Sequence, residues 1–283
     1  MTQTQTAAAE IPTAPRAAAQ PSVVRLGLSR AAIEIRMFFR EKDAVIFTFA
    51  FPIILLVIFG SIFADELEGT GISVSQLYVA GLIGSATMTG FQSLGINIAG
   101  ERDDGTLKRL RGTPLPPASY FVGKALVTLL VSFLQVVILL AIGVAMFELE
   151  LPSEASRWAT FAWVFTLGVL GSALLGIAIS SLPRTHKSAT PVIAMPFVVL
   201  QFISGVFIPA ASLPSWLVNA SAVFPLKWMC QGFRSVFLGD SGAALELTKS
   251  YELDRVALVL GAWVVGGLVL CLMTFRWKSR RDG

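Results

Sequence analysis

Six apolar runs, each about the length of a membrane crossing, decide what this chain can fold into: residues 44–63, 77–99, 120–147, 158–182, 190–209 and 256–275. An α-helix rises 1.5 Å per residue, so about 20 apolar residues cross a hydrocarbon core of ~30 Å. Of the 283 residues, 54% are hydrophobic and 14% charged, whereas soluble domains carry about a quarter charged residues. The expected architecture is all-α and integral to a membrane, with six transmembrane helices. Pro52 and Pro196 lie inside two of the runs and should kink them, which a packed bundle tolerates.

Orientation follows from counting Lys and Arg. With the N-terminus inside, segments 1–43, 100–119 with Lys124, 183–189 and 276–283 hold seventeen basic residues, against five in 64–76, 148–157 and 210–255. The positive-inside rule then places both termini in the cytoplasm. The net charge of +4 is too small to imply nucleic-acid binding. A single His and two Cys give no metal-ligand set. Cys230 and Cys271 are expected in different compartments, so no intrachain disulfide should form.

Residues 1–21, rich in Ala, Thr, Pro and Gln, read as a disordered tail. They do not read as a signal peptide, because the first long apolar run starts only near Ala44. Residues 22–42 carry Val24, Leu28, Ala31, Ile35 and Phe38 at helical spacing, with Arg25, Ser29, Arg36 and Arg40 on another face. This pattern suits an interface helix on an anionic leaflet.

Between the second and third runs lies a segment that no bilayer core would accept, 101–117, with Glu101, Arg102, Asp103, Asp104, Lys108, Arg109 and Arg111. Each central charge would cost about 2.5–3.5 kcal/mol. Leu107 and Leu110, at i and i+3, share a face of a short helix. Asp103 or Asp104 can cap it, and Pro114, Pro116 and Pro117 end it. A short stiff helix with a small apolar face, presented to the cytoplasm, is expected to be a docking element. On the other side, 213–223 and 226–238 are apolar but too short to span, and Pro225 divides them. They read as a re-entrant or interfacial pair, with Trp216 and Trp228 at the interface.

Catalytic motifs are missing. Gly239-Asp240-Ser241-Gly242 imitates a serine-protease signature, but the only His, His186, is expected on the opposite side. Gly123-Lys124-Ala125 lacks the first Gly and the Ser/Thr of a phosphate-binding loop. Ser85, Thr89, Ser93 and Asn97 recur every four residues along the second run, beside Gln92, and Phe197, Gln201 and Ser204 share a face of the fifth. Such residues serve interhelical hydrogen bonding or line a weakly polar passage. Gly168, Gly171, Ser172 and Gly176 read as close helix packing. No run carries a central charge, which argues against ion or proton coupling.

Glu101, Gly105-Thr106-Leu107, Leu110 and Thr113-Pro114-Leu115, followed by Tyr120-Phe121-Val122-Gly123-Lys124, resemble the ABC type-2 permeases. So do Ser204-Gly205-Val206-Phe207-Ile208-Pro209, Leu213-Pro214, Phe224-Pro225-Leu226, Gly232-Phe233-Arg234 and Leu238-Gly239. The resemblance runs from about Val23 to Arg276, and length and the lack of a fused ATPase resemble the daunorubicin-resistance type. It implies a type V exporter fold over 22–276: interface helix 22–42, coupling helix 101–112, outer re-entrant helices 213–238 and a cytoplasmic tail 277–283.

It further implies a non-catalytic membrane subunit that exports a drug, antibiotic or lipid. Two separate ATPase subunits would bind ATP and Mg, and this chain would bind no cofactor. A second permease copy, identical or different, would complete the transporter in a bacterial plasma membrane. ATPase coupling would fall to Glu101, Gly105, Thr106, Leu107, Leu110, Arg111 and Pro114. The substrate path would run past Ser85, Thr89, Gln92, Ser93, Asn97, Phe197, Gln201 and Ser204. An outer gate would involve Pro209, Pro214, Pro225 and Arg234. The competing classes are a secondary transporter or channel that works without ATPase, and a membrane scaffold that does not transport.

Overall fold

A computed structural model describes residues 22–63, 66–67 and 71–275. The expected tails 1–21 and 277–283 lie outside the described residues. Helices carry nearly everything: α1 (Val23–Arg40), α2 (Lys42–Ile62), α3 (Val74–Thr87), α4 (Thr89–Asp103), α5 (Thr106–Arg111), α6 (Pro117–Phe147), α7 (Ala155–Ile179), α8 (His186–Ile203), α9 (Ser215–Ser221), α10 (Pro225–Phe237) and α11 (Leu253–Thr274). A two-residue antiparallel hairpin, β1 (Glu66–Leu67) with β2 (Ile72–Ser73), joins α2 to α3.

Among the described residues four helices are long and apolar enough to cross a membrane: α2, α6, α7 and α11. Their outward faces would be untenable in water: Phe47 on α2 is 73% exposed and Leu272 on α11 is 77% exposed. The 77–99 run is not one helix. It breaks at Met88 into α3, 14 residues, and α4, 15 residues, each shorter alone than a ~30 Å crossing. Beside the break, the Thr87 hydroxyl donates to Ile83 O (2.8 Å) and the Thr89 hydroxyl to Ser85 O (3.4 Å). Such back-bonding competes with the helical ladder and bends it.

The core forms where α3, α4, α7 and α10 meet, with α6, α8 and α11 packed around them. Residues Leu77 to Thr87 of α3 are buried without exception. The α4–α7 contact needs Gly176: a β-carbon there would lie 2.8 Å from the carbonyl oxygens of Gly90 and Phe91. Ser172, one turn earlier, donates to Thr87 O at 3.2 Å. The small residues of α7 therefore do pack helices closely.

Proline leaves a signature in α2. Pro52 has no N–H, so the Thr48 carbonyl loses its helical donor. Gln135 of α6 supplies one, Nε2 donating to Thr48 O at 2.7 Å.

α1 packs on α6 through Gly27, Ala31 and Glu34, and leaves Val24 and Leu28 of the apolar stripe exposed. The expected outer pair is present as α9 and α10, but α10 is nearly all buried, Trp228 included. Trp228 Nε1 donates to Ala222 O (2.7 Å) instead of meeting an interface, whereas Trp216 is exposed.

Candidate functional site

The 101–117 segment folds into α5 and the turns that frame it. Gly105 adopts φ +77°, a conformation that favours glycine, and so lets the chain leave α4 and start α5 at once. The expected capping acids divide the work. Asp104 Oδ1 accepts from Thr106 N (2.8 Å), while Asp103 Oδ2 accepts from His186 N (3.0 Å) at the start of α8. The Thr113 hydroxyl closes the far end on Leu110 O (2.6 Å), and Pro117 sits in the first turn of α6.

Leu107 is not offered outward. It is completely buried within this chain, among Leu94, Ile98, Tyr120, Ala173, Ile177 and Cys271, with Leu110 half-buried at the edge. A six-residue helix cannot hold itself together, so Leu107 seats α5 on α4, α6 and α7. The outward surface of α5 is basic: Lys108, Arg109 and Arg111 are exposed. Pro114 is exposed in the loop that follows.

Next to α5 lies a charge cluster that hydropathy patterns could not reveal. Lys124 Nζ of α6 donates to Glu101 Oε1 of α4 (2.6 Å) and to Glu34 Oε2 of α1 (2.9 Å). The Tyr120 hydroxyl donates to Glu101 Oε2 (2.6 Å), and Arg30 pairs with Glu34. The Lys124, Glu34 and Glu101 side chains are 4%, 10% and 16% exposed. Each buried charge is thus matched by an opposite one, as burial requires. Of this group only Glu101 was a coupling candidate from sequence. Arg30 and Glu34 at i, i+4 are the one local signal of the rest.

The polar residues of α3, α4 and α8 gather around a cavity of about 450 Å³. Ser85, Thr89, Gln92, Ser93, Asn97, Phe197 and Gln201 all line it, with Phe47 and Phe51 of α2 opposite. Ser204 does not; it is buried at the end of α8. Gln201 Nε2 donates to Ser85 Oγ (2.8 Å) between helices, whereas Gln92, Ser93 and Asn97 leave their side chains to the cavity. A second cavity of about 290 Å³ adjoins it, and Glu34, Glu101 and Lys124 are among its walls.

The outer-gate candidates serve the chain turns. Pro209 precedes a 3-10 turn at Ala210–Ser212, Pro214 precedes α9 and Pro225 begins α10. Arg234 is 1% exposed; its Nε donates to Glu246 Oε1 (2.6 Å) and Nη1 to Gly205 O (2.9 Å). Gln231, one turn away, donates to Tyr251 O (2.7 Å). Burial raises the Tyr251 hydroxyl pKa, and the nearby Glu246 charge adds to that. Glu246 was not legible as a partner twelve residues away. Among the described residues no cluster of His, Cys, Asp and Glu could hold a metal. Cys230 and Cys271 are both free and buried.

Long apolar helices that bury a hydrophobic core and leave apolar faces outward define a multi-pass membrane protein. The family described as ABC-2 type transporter matches residues 31–238, and the chain belongs to that family. It is 32% identical over 167 residues to the probable multidrug ABC transporter permease YbhR of Escherichia coli K12. That alignment covers 59% of this chain and 45% of the relative, so the chain matches less than half of that protein's length. It is also 25% identical to the putative transport permeases ycf38 of Cyanophora paradoxa, over 79% of this chain and 77% of that one, and of Porphyra purpurea, over 77% and 79%.

Proposed function

We propose that this chain is the permease subunit of an ATP-driven exporter, moving a hydrophobic or amphipathic substrate, a drug or a lipid, across a bacterial plasma membrane. The name of the Escherichia coli relative favours a drug. In this reading the chain catalyses no reaction, and a pair of separate ATPase subunits supplies ATP hydrolysis. Two copies of the chain form the pathway, with both termini cytoplasmic. Six crossings would be completed by α8 and by α3 with α4 acting as one broken span.

The observation that carries the reading is the placement of α5. This short basic helix is held by buried Leu107 against the end of α4, whose polar residues line the cavity. A push on it would reach the cavity walls through α4. Lys108, Arg109 and Arg111 would meet acidic groups on the ATPase. Glu101, Gly105 and Pro114 would shape and brace the element. Arg234 would stiffen the outer gate region rather than move in it.

The test is co-expression with the candidate ATPase, co-purification, and ATPase measurement in lipid with and without apolar drugs. A complex whose hydrolysis rises with substrate supports the reading. Substrate movement by the chain without any ATPase would overturn it in favour of a secondary transporter.

A further inference from the structure

We propose that the two adjoining cavities form one site for an amphipathic monocation, with Glu41 as the carboxylate that meets its charge; this rests on the transport reading of the cavity.

The cavities share walls. Phe38, Glu41, Thr48, Thr89, Ser93 and Asn97 line both. Their volumes, about 450 and 290 Å³, suit a drug-sized molecule. The charges are lopsided. Glu34, Glu41, Glu101 and Asp104 line the smaller cavity, faced by Lys124 and His186. Lys124 is already held by Glu34 and Glu101. Asp104 accepts from the Thr106 amide. Glu41 lines both cavities, is exposed and has no side-chain partner among the described residues, so a cationic ligand can approach its carboxylate without first breaking an ion pair.

An independent feature points the same way. Gln135, 3% exposed, lines the larger cavity. Its Nε2 must face the Thr48 carbonyl, which fixes the amide orientation, and its Oε1 is buried with no hydrogen-bond partner. A buried unpaired carbonyl oxygen is costly, and its partial negative charge favours a cation beside it whether or not that cation can donate a hydrogen bond. The larger cavity adds the aromatic rings of Phe38, Phe47, Phe51 and Phe197, whose faces attract cations as well as apolar bodies. An anion would meet repulsion here, and a neutral ligand would leave the Glu41 charge unanswered.

The test is equilibrium binding of radiolabelled tetraphenylphosphonium and of triphenylphosphine oxide, a neutral molecule of similar bulk, to the full-length chain in lipid nanodiscs. The phosphonium should bind up to about fivefold tighter, a difference of the size one solvent-screened charge contact supplies. Glu41→Gln, at an exposed position that spares the core, should remove that preference by weakening the phosphonium selectively, and Glu41→Asp should keep it. If both probes bind alike, or Glu41→Gln weakens them equally, the cation proposal is overturned while the cavity stands as a neutral-substrate site. If neither probe binds, the transport reading of the cavity falls as well.

Discussion

Replacing Lys124 by Met tests whether the cluster between α1, α4 and α6 is a compensated unit. Methionine keeps the length and most of the volume, so packing changes little. What disappears is the ammonium that sits 2.6 Å from Glu101 and 2.9 Å from Glu34. Glu34 retains Arg30, but Glu101 retains only the Tyr120 hydroxyl. Removing one partner of a buried ion pair costs about 3–5 kcal/mol, because the remaining charge is left unanswered. At about 2–4 °C per kcal/mol for a chain of this size, the melting point should fall by roughly 6–20 °C. Cys230 and Cys271 are free and buried, so a thiol-reactive fluorophore in detergent reports unfolding directly. The triple variant Glu34→Gln, Lys124→Met, Glu101→Gln removes the stranded charges and should recover about half of the loss or more. If Lys124→Met melts with the parent, or the triple variant melts no higher than the single one, the charges do not act as a unit.

Three further outcomes follow from the same geometry. Leu107→Ala should cost about 2–5 kcal/mol by leaving a cavity under α5, and Leu110→Ala clearly less, since it is half-buried; the same thiol assay reads both. Reversing the outward charges with Lys108→Glu, Arg109→Glu and Arg111→Glu should lower the melting point by no more than about 6 °C, surface positions costing up to about 0.5 kcal/mol each, but abolish co-purification with the ATPase; retained co-purification would remove α5 from the docking surface. Gly176→Val should prevent stable folding, because its β-carbon would lie 2.8 Å from two α4 carbonyl oxygens, and expression yield with size-exclusion profile would show it.

Hydropathy located α2, α6, α7 and α11 to within three residues at each end, because length and apolarity are what make a spanning helix. It failed where a hydroxyl or a distant partner decided the outcome. The break at Met88, flanked by Thr87 and Thr89 that bond their own backbone, leaves no trace in an average over an apolar run. The 190–209 run stops being helical at Ile203, where Gly205 takes φ +79° and its carbonyl accepts from Arg234. The buried face of α1 contains Glu34, a residue that reads as exposed until Lys124, ninety positions later, is brought against it. Short apolar length and Trp228 made α10 read as interfacial, yet it is buried, and its Arg234 and Gln231 donate to Glu246 and the Tyr251 carbonyl within the chain. The polar stripe on α4 and Gln201 on α8 were legible, since four-residue spacing sets a helix face whatever it faces.

Leu107 shows most clearly how position changes meaning. As an apolar residue in a charged loop it suggested a surface for another protein, but its burial makes it the joint by which α5 moves only with its neighbours. The adjacent residues extend that joint. Arg102 donates to Ser180 at the end of α7, with Nη2 to Oγ at 3.1 Å, while Asp103 accepts from the first amide of α8. Glu101 reaches α6 through Lys124 and, beyond it, α1 through Glu34. Within seven residues the chain is therefore tied to α1, α6, α7 and α8. A force applied to the basic face of α5 cannot be absorbed locally by a flexible loop. It must displace several helices together, or break charge contacts that each cost a few kcal/mol. That rigidity is what a coupling element needs, and it comes from buried partners rather than from the six-residue helix itself.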